Sequence, residues 1–153
     1  MKKTSKKIVF FGNERLATGV TTEVWTLRQL LEEGYVIAAV VVAQKNTGPS
    51  RSARPLEIVA LAEKHHIPVL SPEKPADIAE KLQAFGADIG VLVAYGKIVP
   101  QSVIDIFPAG IVNIHPSLLP KHRGPTPIES AILNGDEETG VSLMKLTAQM
   151  DTG

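Results

Sequence analysis

The chain has 153 residues, with sixteen basic and sixteen acidic side chains and no cysteine. A single domain of that length buries roughly 70% of its unfolded surface, enough for a hydrophobic core. Balanced charge excludes a globally basic nucleic-acid binder, so any such contact must come from a local patch. The lack of cysteine excludes disulfides and thiolate metal sites. The basic start, MKKTSKKIVFFG, has the charge of a secretory signal, but its apolar run, Ile8 to Gly12, lasts only five residues. No stretch approaches the ~20 apolar residues of a membrane helix. The expected setting is the cytoplasm, with no membrane partner.

Strand-length apolar runs alternate with segments of helical period. Ile8 to Phe11, ending at Gly12, is the first candidate strand. Val24, Leu27, Leu30 and Leu31 follow at helical spacing, and Gly34 supplies a stop. Val36 to Ala43 is apolar almost throughout, as a strand covered on both faces should be. Ile58 and Ala62 mark a second helix, Ile67 to Leu70 a short strand, and Ala76 to Phe85 a third helix. Ile89 to Ala94, Gly110 to His115 and Val141 to Leu146 complete the strands. This alternation of strands and helices predicts one doubly wound α/β domain with a mostly parallel sheet and helices on both faces. Ligands of such sheets sit outside the carboxyl ends of the strands. That rule singles out Gly12 to Gly19, Ala94 to Lys97, His115 to Gly124 and Leu146 to Gly153.

The most informative stretch is NIHPSLLPKHRGPTPIESAILNG, residues 113–135. Asn113 and His115 are two apart at a strand end, so their side chains share a face. A carboxamide can donate to a developing oxyanion, and an imidazole can move a proton near neutral pH. Pro116, Pro120 and Pro125 stiffen the following loop. Taken alone, an Asn-x-His is better read as a strand end whose histidine bonds to backbone. His122 lies seven residues from His115 without a third ligand at metal spacing, so no metal is expected. GNERLATG is not the G-x-G-x-x-G of dinucleotide binders, and no serine stands in a G-x-S-x-G elbow.

The longer string narrows the choice. NIHPSLLP, then HRGPTPI, TGVSLMKL and MDTG, resembles the folate-dependent formyltransferases. Arg123, Gly124, Pro127 and Ile128 resemble the branch acting on methionyl-tRNA. The likeness runs over essentially the whole chain, including KIVFFG and VLVAYGKIVP. It implies a Rossmann-like N-terminal catalytic domain over residues 1–153. It further implies that the chain is a fragment lacking a C-terminal tRNA-binding barrel.

The resemblance also implies roles. Asn113 would bind the formyl oxygen, His115 would stabilise the same charge and transfer a proton, and Asp151 would orient and polarise His115. The donor would be 10-formyltetrahydrofolate and the acceptor the α-amino group of initiator methionyl-tRNA. The pterin pocket would use Val93, Ala94, Tyr95, Gly96, Lys97 and Ile98 on one side and Ala148, Gln149 and Met150 on the other. Leu118, Leu119 and Pro120 would form the turn beside the formyl group. Lys45, Arg51 and Arg54, in QKNTGPSRSARP, correspond to a basic loop that enters the acceptor stem, although three cations in a polar loop are equally a solvated surface. Two other acceptors stay open, a sugar-nucleotide amine and glycinamide ribonucleotide. A non-catalytic Rossmann-like binding module is the reading from another class.

Overall fold

The computed structural model describes residues 6–12, 24–43, 56–149, 151 and 152. Within them the chain runs β1 (Lys7–Gly12), α1 (Trp25–Glu32), β2 (Val36–Val42), α2 (Glu57–Lys64) and β3 (Val69–Leu70). A 3₁₀ turn (Pro75–Ile78), α3 (Ala79–Ala84), β4 (Ile89–Val93) and α4 (Gln101–Ile104) follow. β5 (Ile111–His115), α5 (Pro127–Leu133) and β6 (Ser142–Lys145) complete it. The strands form one sheet in the order β3-β2-β1-β4-β5-β6. β1 to β5 pair in parallel, and β6 runs antiparallel to β5.

Alternation along the strands builds two cores. Val9 and Phe11 of β1 and Ala39 and Val41 of β2 pack with Leu82 of α3, Val103 of α4 and Phe107. The opposite side chains, Ile8, Phe10, Val40 and Val42, pack with Leu27 of α1 and with Ile58 and Ala62 of α2. Both faces of the sheet are therefore covered by helices, which is why β2 reads as an unbroken apolar run. The helix ends follow the expected signals. The Gly34 amide donates to Leu31 (3.0 Å) and that of Tyr35 to Leu30 (3.0 Å), closing α1 with the paired bonds of a Schellman cap.

Three expectations are corrected. The single helix expected over 76–85 is split into the 3₁₀ turn and α3. Pro75 opens that turn, the Asp77 carboxylate accepts from the Lys74 amide at 3.0 Å, and the Asp77 amide donates back to the Lys74 carbonyl. This local closure tightens the first turn. β4 stops at Val93 rather than Ala94, because Ala94 has φ +47° and leaves the extended region. The last strand is antiparallel, so its carboxyl end points away from the carboxyl ends of the others. Asp151 nevertheless lies at the same end of the sheet as His115.

The sheet reverses its order between β1 and β4, where Gly12 pairs with Val93. That is the switch point at which such folds open a crevice. β5 is the next strand out, with Val93 beside Ile114. Close approach of β4 to β5 depends on Gly90, where a Cβ would lie 2.7 Å from Ile111 Cγ1. Gly90→Ala is expected to cost about 1–3 kcal/mol, as overpacking of a filled core usually does. Urea unfolding checks this, and an unchanged midpoint would mean that β5 shifts freely and does not hold the site residues in register.

Candidate active site

β5 alternates strictly, and Ile111, Asn113 and His115 are its buried side chains. Ile111 belongs to the core with Leu92 and Tyr95, so the same face that anchors the strand carries the polar pair at its carboxyl end. Asn113 is 7% exposed and His115 5%. The Asn113 carboxamide has no hydrogen-bond partner among the described residues.

The ring of His115 is held on one side. Nε2 lies 3.0 Å from the carbonyl oxygen of His122. A carbonyl can only accept, so Nε2 carries a proton, and Nδ1 is the nitrogen left to exchange one. Nδ1 faces Asp151 Oδ1 at 3.8 Å. That is beyond hydrogen-bond range, so the carboxylate acts on the ring by charge. The other carboxylate oxygen, Oδ2, accepts the Gly124 amide at 2.7 Å. Gly124 has φ +97°, a conformation that favours glycine, and it turns its N–H toward Asp151. Asp151 itself has φ +50°. The pair is nearly dry, with 6% of the His115 side chain and 11% of the Asp151 side chain exposed.

The loop from Pro116 to Thr126 supplies both anchors and is tied to the sheet edge by serines. The Ser117 hydroxyl, fully buried, donates to the Lys121 carbonyl at 2.7 Å. The Ser142 hydroxyl donates to the Ser117 carbonyl at 2.7 Å and accepts the Leu119 amide at 3.1 Å. Ser142 stands beside His115 in the β5–β6 ladder. A cis bond joins Leu119 to Pro120, and Leu118 projects as an exposed side chain against Gly140.

The remaining predicted positions are distributed differently. His115 and Asp151 face each other at 3.8 Å, and Asn113 shares the buried face of β5 with His115. Ala94, Gly96 and Ile98 lie in the turn after β4, with Ile98 78% exposed. Val93 packs into the core on the α1 and α2 side. Tyr95 is wholly buried, its ring edge-to-face with Phe11 at 5.6 Å, so a ligand in the crevice would meet its backbone rather than its side chain. The Lys97 ammonium donates to the carbonyls of Pro72 (2.7 Å) and Glu73 (3.0 Å) and braces the turn against the segment after β3. Ala148 and Gln149 are exposed, in a turn where Thr147 bonds to the Gln149 carbonyl. Met150, Lys45, Arg51 and Arg54 lie outside the described residues. Periodicity and motifs did not reveal Ser117, Ser142, the His122 carbonyl, the Gly124 amide or Asp136. Two of those five are backbone groups, which carry no side-chain signal.

A groove of about 590 Å³ lies at the far end of β5, between Phe107, Gly110, Lys145 and Thr147. It is remote from His115 in the ladder and takes only Leu146 and Thr147 from the predicted ligand segments. Among the described residues no three of His, Asp and Glu gather as a metal site, and no helix is long and apolar enough to cross a membrane.

A mostly parallel sheet reversing its order between β1 and β4, with a polar cluster at the end of the neighbouring β5, defines a doubly wound α/β domain. Residues 6–153 match the family described as formyl transferase, and the chain belongs to that family. The methionyl-tRNA formyltransferase of Halalkalibacterium halodurans is 42% identical over 150 residues, covering 96% of this chain and 45% of the relative. That of Methylobacterium sp. is 40% identical over 152 residues, covering 97% and 47%. The chain spans about half the length of the curated relatives it matches. Glycinamide ribonucleotide transformylase 1 from Symbiobacterium toebii has the same fold, with a TM-score of 0.78 at 23% identity over 99% of this chain and 71% of that one.

Burial has one further consequence beside the site. The Tyr95 hydroxyl is buried and has no hydrogen-bond partner among the described residues. Desolvation pushes its pKa up from 10.0 to about 12. A raised folded pKa means stability that is complete below pH 10 and is lost as pH rises toward 12. Tyr95→Phe is therefore expected to be neutral or stabilising at pH 7 and to resist alkaline unfolding better than the parent. Chemical denaturation at pH 7 and pH 11 tests this; identical alkaline losses in both proteins would count against it.

Proposed function

We propose that the chain catalyses transfer of a formyl group from 10-formyltetrahydrofolate to the α-amino group of methionyl initiator tRNA, in the cytoplasm. The observation that carries this reading is the polar group at the end of β5. Asn113 and His115 share the buried face of the strand, and the Asp151 carboxylate borders Nδ1 of His115 at 3.8 Å. The curated relatives named methionyl-tRNA formyltransferases support the choice of acceptor.

In this reading the Asn113 carboxamide donates to the formyl oxygen as the amine attacks and negative charge builds there. One such donor is worth roughly 3 kcal/mol in the transition state. His115 takes the amine proton at Nδ1, since its Nε2 already holds one. The imidazolium that results lies beside Asp151, whose charge favours it. The proton then moves to the leaving folate nitrogen. The attacking amine is itself the nucleophile, so no covalent enzyme intermediate is required. The folate would lie along the turn at Val93, Ala94, Tyr95, Gly96, Lys97 and Ile98, meeting Leu118, Leu119 and Pro120 at the formyl end and Ala148, Gln149 and Met150 opposite. Lys97 and Tyr95 would contribute backbone there, since their side chains are engaged elsewhere.

His115→Ala is expected to keep the fold and to lower transfer at least about a hundredfold, the usual contribution of a positioned proton-transfer group. Single-turnover assays with the formyl donor and methionyl-tRNA, a UDP-amino sugar or glycinamide ribonucleotide would measure the loss and identify the acceptor. Near-normal turnover in the variant would remove His115 from the mechanism. Lys45, Arg51 and Arg54 are proposed to contact acceptor-stem phosphates. Replacing Arg51 and Arg54 with alanine should weaken tRNA binding and flatten its salt dependence while sparing folate affinity. Filter binding at several salt concentrations checks this, and unchanged affinity would exclude the loop.

A further inference from the structure

His122 has no part in the chemistry described so far, yet it touches that chemistry through its backbone. Its carbonyl is the group that accepts His115 Nε2–H at 3.0 Å. Its own ring points the other way, where Nε2 donates to Asp136 Oδ2 at 2.6 Å. Only 11% of the His122 side chain and 17% of that of Asp136 are exposed. His122 sits at φ +53°, a conformation that a non-glycine residue keeps only when its surroundings hold it there.

Asp136 is a fixed post for this purpose. α5 ends in a Schellman cap, with Gly135 at φ +67° donating to the Ile132 carbonyl (3.1 Å) and the Asp136 amide to that of Ala131 (3.0 Å). Ala131 is itself buried. The carboxylate therefore issues from a backbone position locked to α5. Lys121, mostly exposed, is the other charged group near it, at 4.0 Å.

We infer that His122 and Asp136 are positioning residues for His115: their side-chain bond clamps the loop so that the His122 carbonyl holds the His115 ring with Nδ1 toward Asp151. This inference deepens the proposed function and rests on its assignment of His115. The hydrogen bond from His122 also holds the Asp136 carboxyl below its ordinary range, with smaller help from the Lys121 charge, so the acceptor stays ionised through neutral pH. The same loop carries the Gly124 amide that holds Asp151, so one clamp serves both partners of the pair.

The test uses Asp136→Ala, His122→Phe and the conservative Asp136→Asn, whose side-chain carbonyl can still accept from His122. The first readout is the ¹⁵N spectrum of the histidine rings in the folded protein, which needs no substrate. His115 should show a protonated Nε2 and an unprotonated Nδ1 in the parent, and mixed tautomers in Asp136→Ala and His122→Phe. Asp136→Asn should recover the parent pattern. The second readout is turnover, where kcat should fall at least about tenfold in the two disruptive variants. KM for the formyl donor should stay within about twofold, as expected when proton transfer rather than binding is impaired. A His115 spectrum unchanged in all three variants overturns the inference, whatever happens to turnover. If Asp136→Ala does not fold, His122→Phe and Asp136→Asn carry the same comparison. Normal turnover in His115→Ala combined with altered tautomers would defeat the proposed chemistry and leave the clamp standing.

Discussion

The bond from the His115 ring to the His122 carbonyl, 3.0 Å long, joins a rigid strand to a folded loop, and the rest of the site depends on it. β5 can place an imidazole at its end through pleat and register alone, but it cannot choose which ring nitrogen is protonated. A carbonyl in contact with Nε2 makes that choice. The loop offers the carbonyl because prolines restrict it, Ser117 closes it internally and Ser142 ties it to β6. Asp151, returning from an antiparallel strand, is then caught by the Gly124 amide of the same loop. Sheet, loop and return segment thus meet at one histidine.

Much of the fold was legible in the chain. β2 declares itself by being apolar without interruption, because helices cover both sides of it. The Asn113–His115 spacing places both side chains on one face, and the strict burial alternation of β5 places them there. The errors have local causes. The segment 76–85 has an apolar period, but periodicity does not register that Pro75 and Asp77 close a tighter turn before α3 begins. The direction of β6 could not be read from hydropathy, since an edge strand has the same pattern in either sense.

Within the site, side chains with a chemical signature were found and their supports were not. Backbone donors and acceptors such as the Gly124 amide look like those of any residue until the loop is folded. His122 was considered only as a metal ligand, because spacing in sequence says nothing about a carboxylate fourteen residues later at the end of a helix. Tyr95 and Lys97 were grouped with the folate turn by the family resemblance. Their side chains instead leave that turn, one into the aromatic core beside Phe11 and the other to the carbonyls of Pro72 and Glu73.

The fixed ring of His115 also constrains the route of any proton through the proposed transfer. With Nε2 occupied by a neutral acceptor, the imidazole cannot take a proton on one edge and release it on the other, as a two-sided shuttle does. Arrival and departure must use the same nitrogen, on the edge that Asp151 borders. The incoming amine and the departing folate nitrogen must therefore reach that edge together, directly or through one shared proton path. Such a ring favours a reaction in which donor and acceptor are present at once over one in which the first product leaves before the second substrate enters.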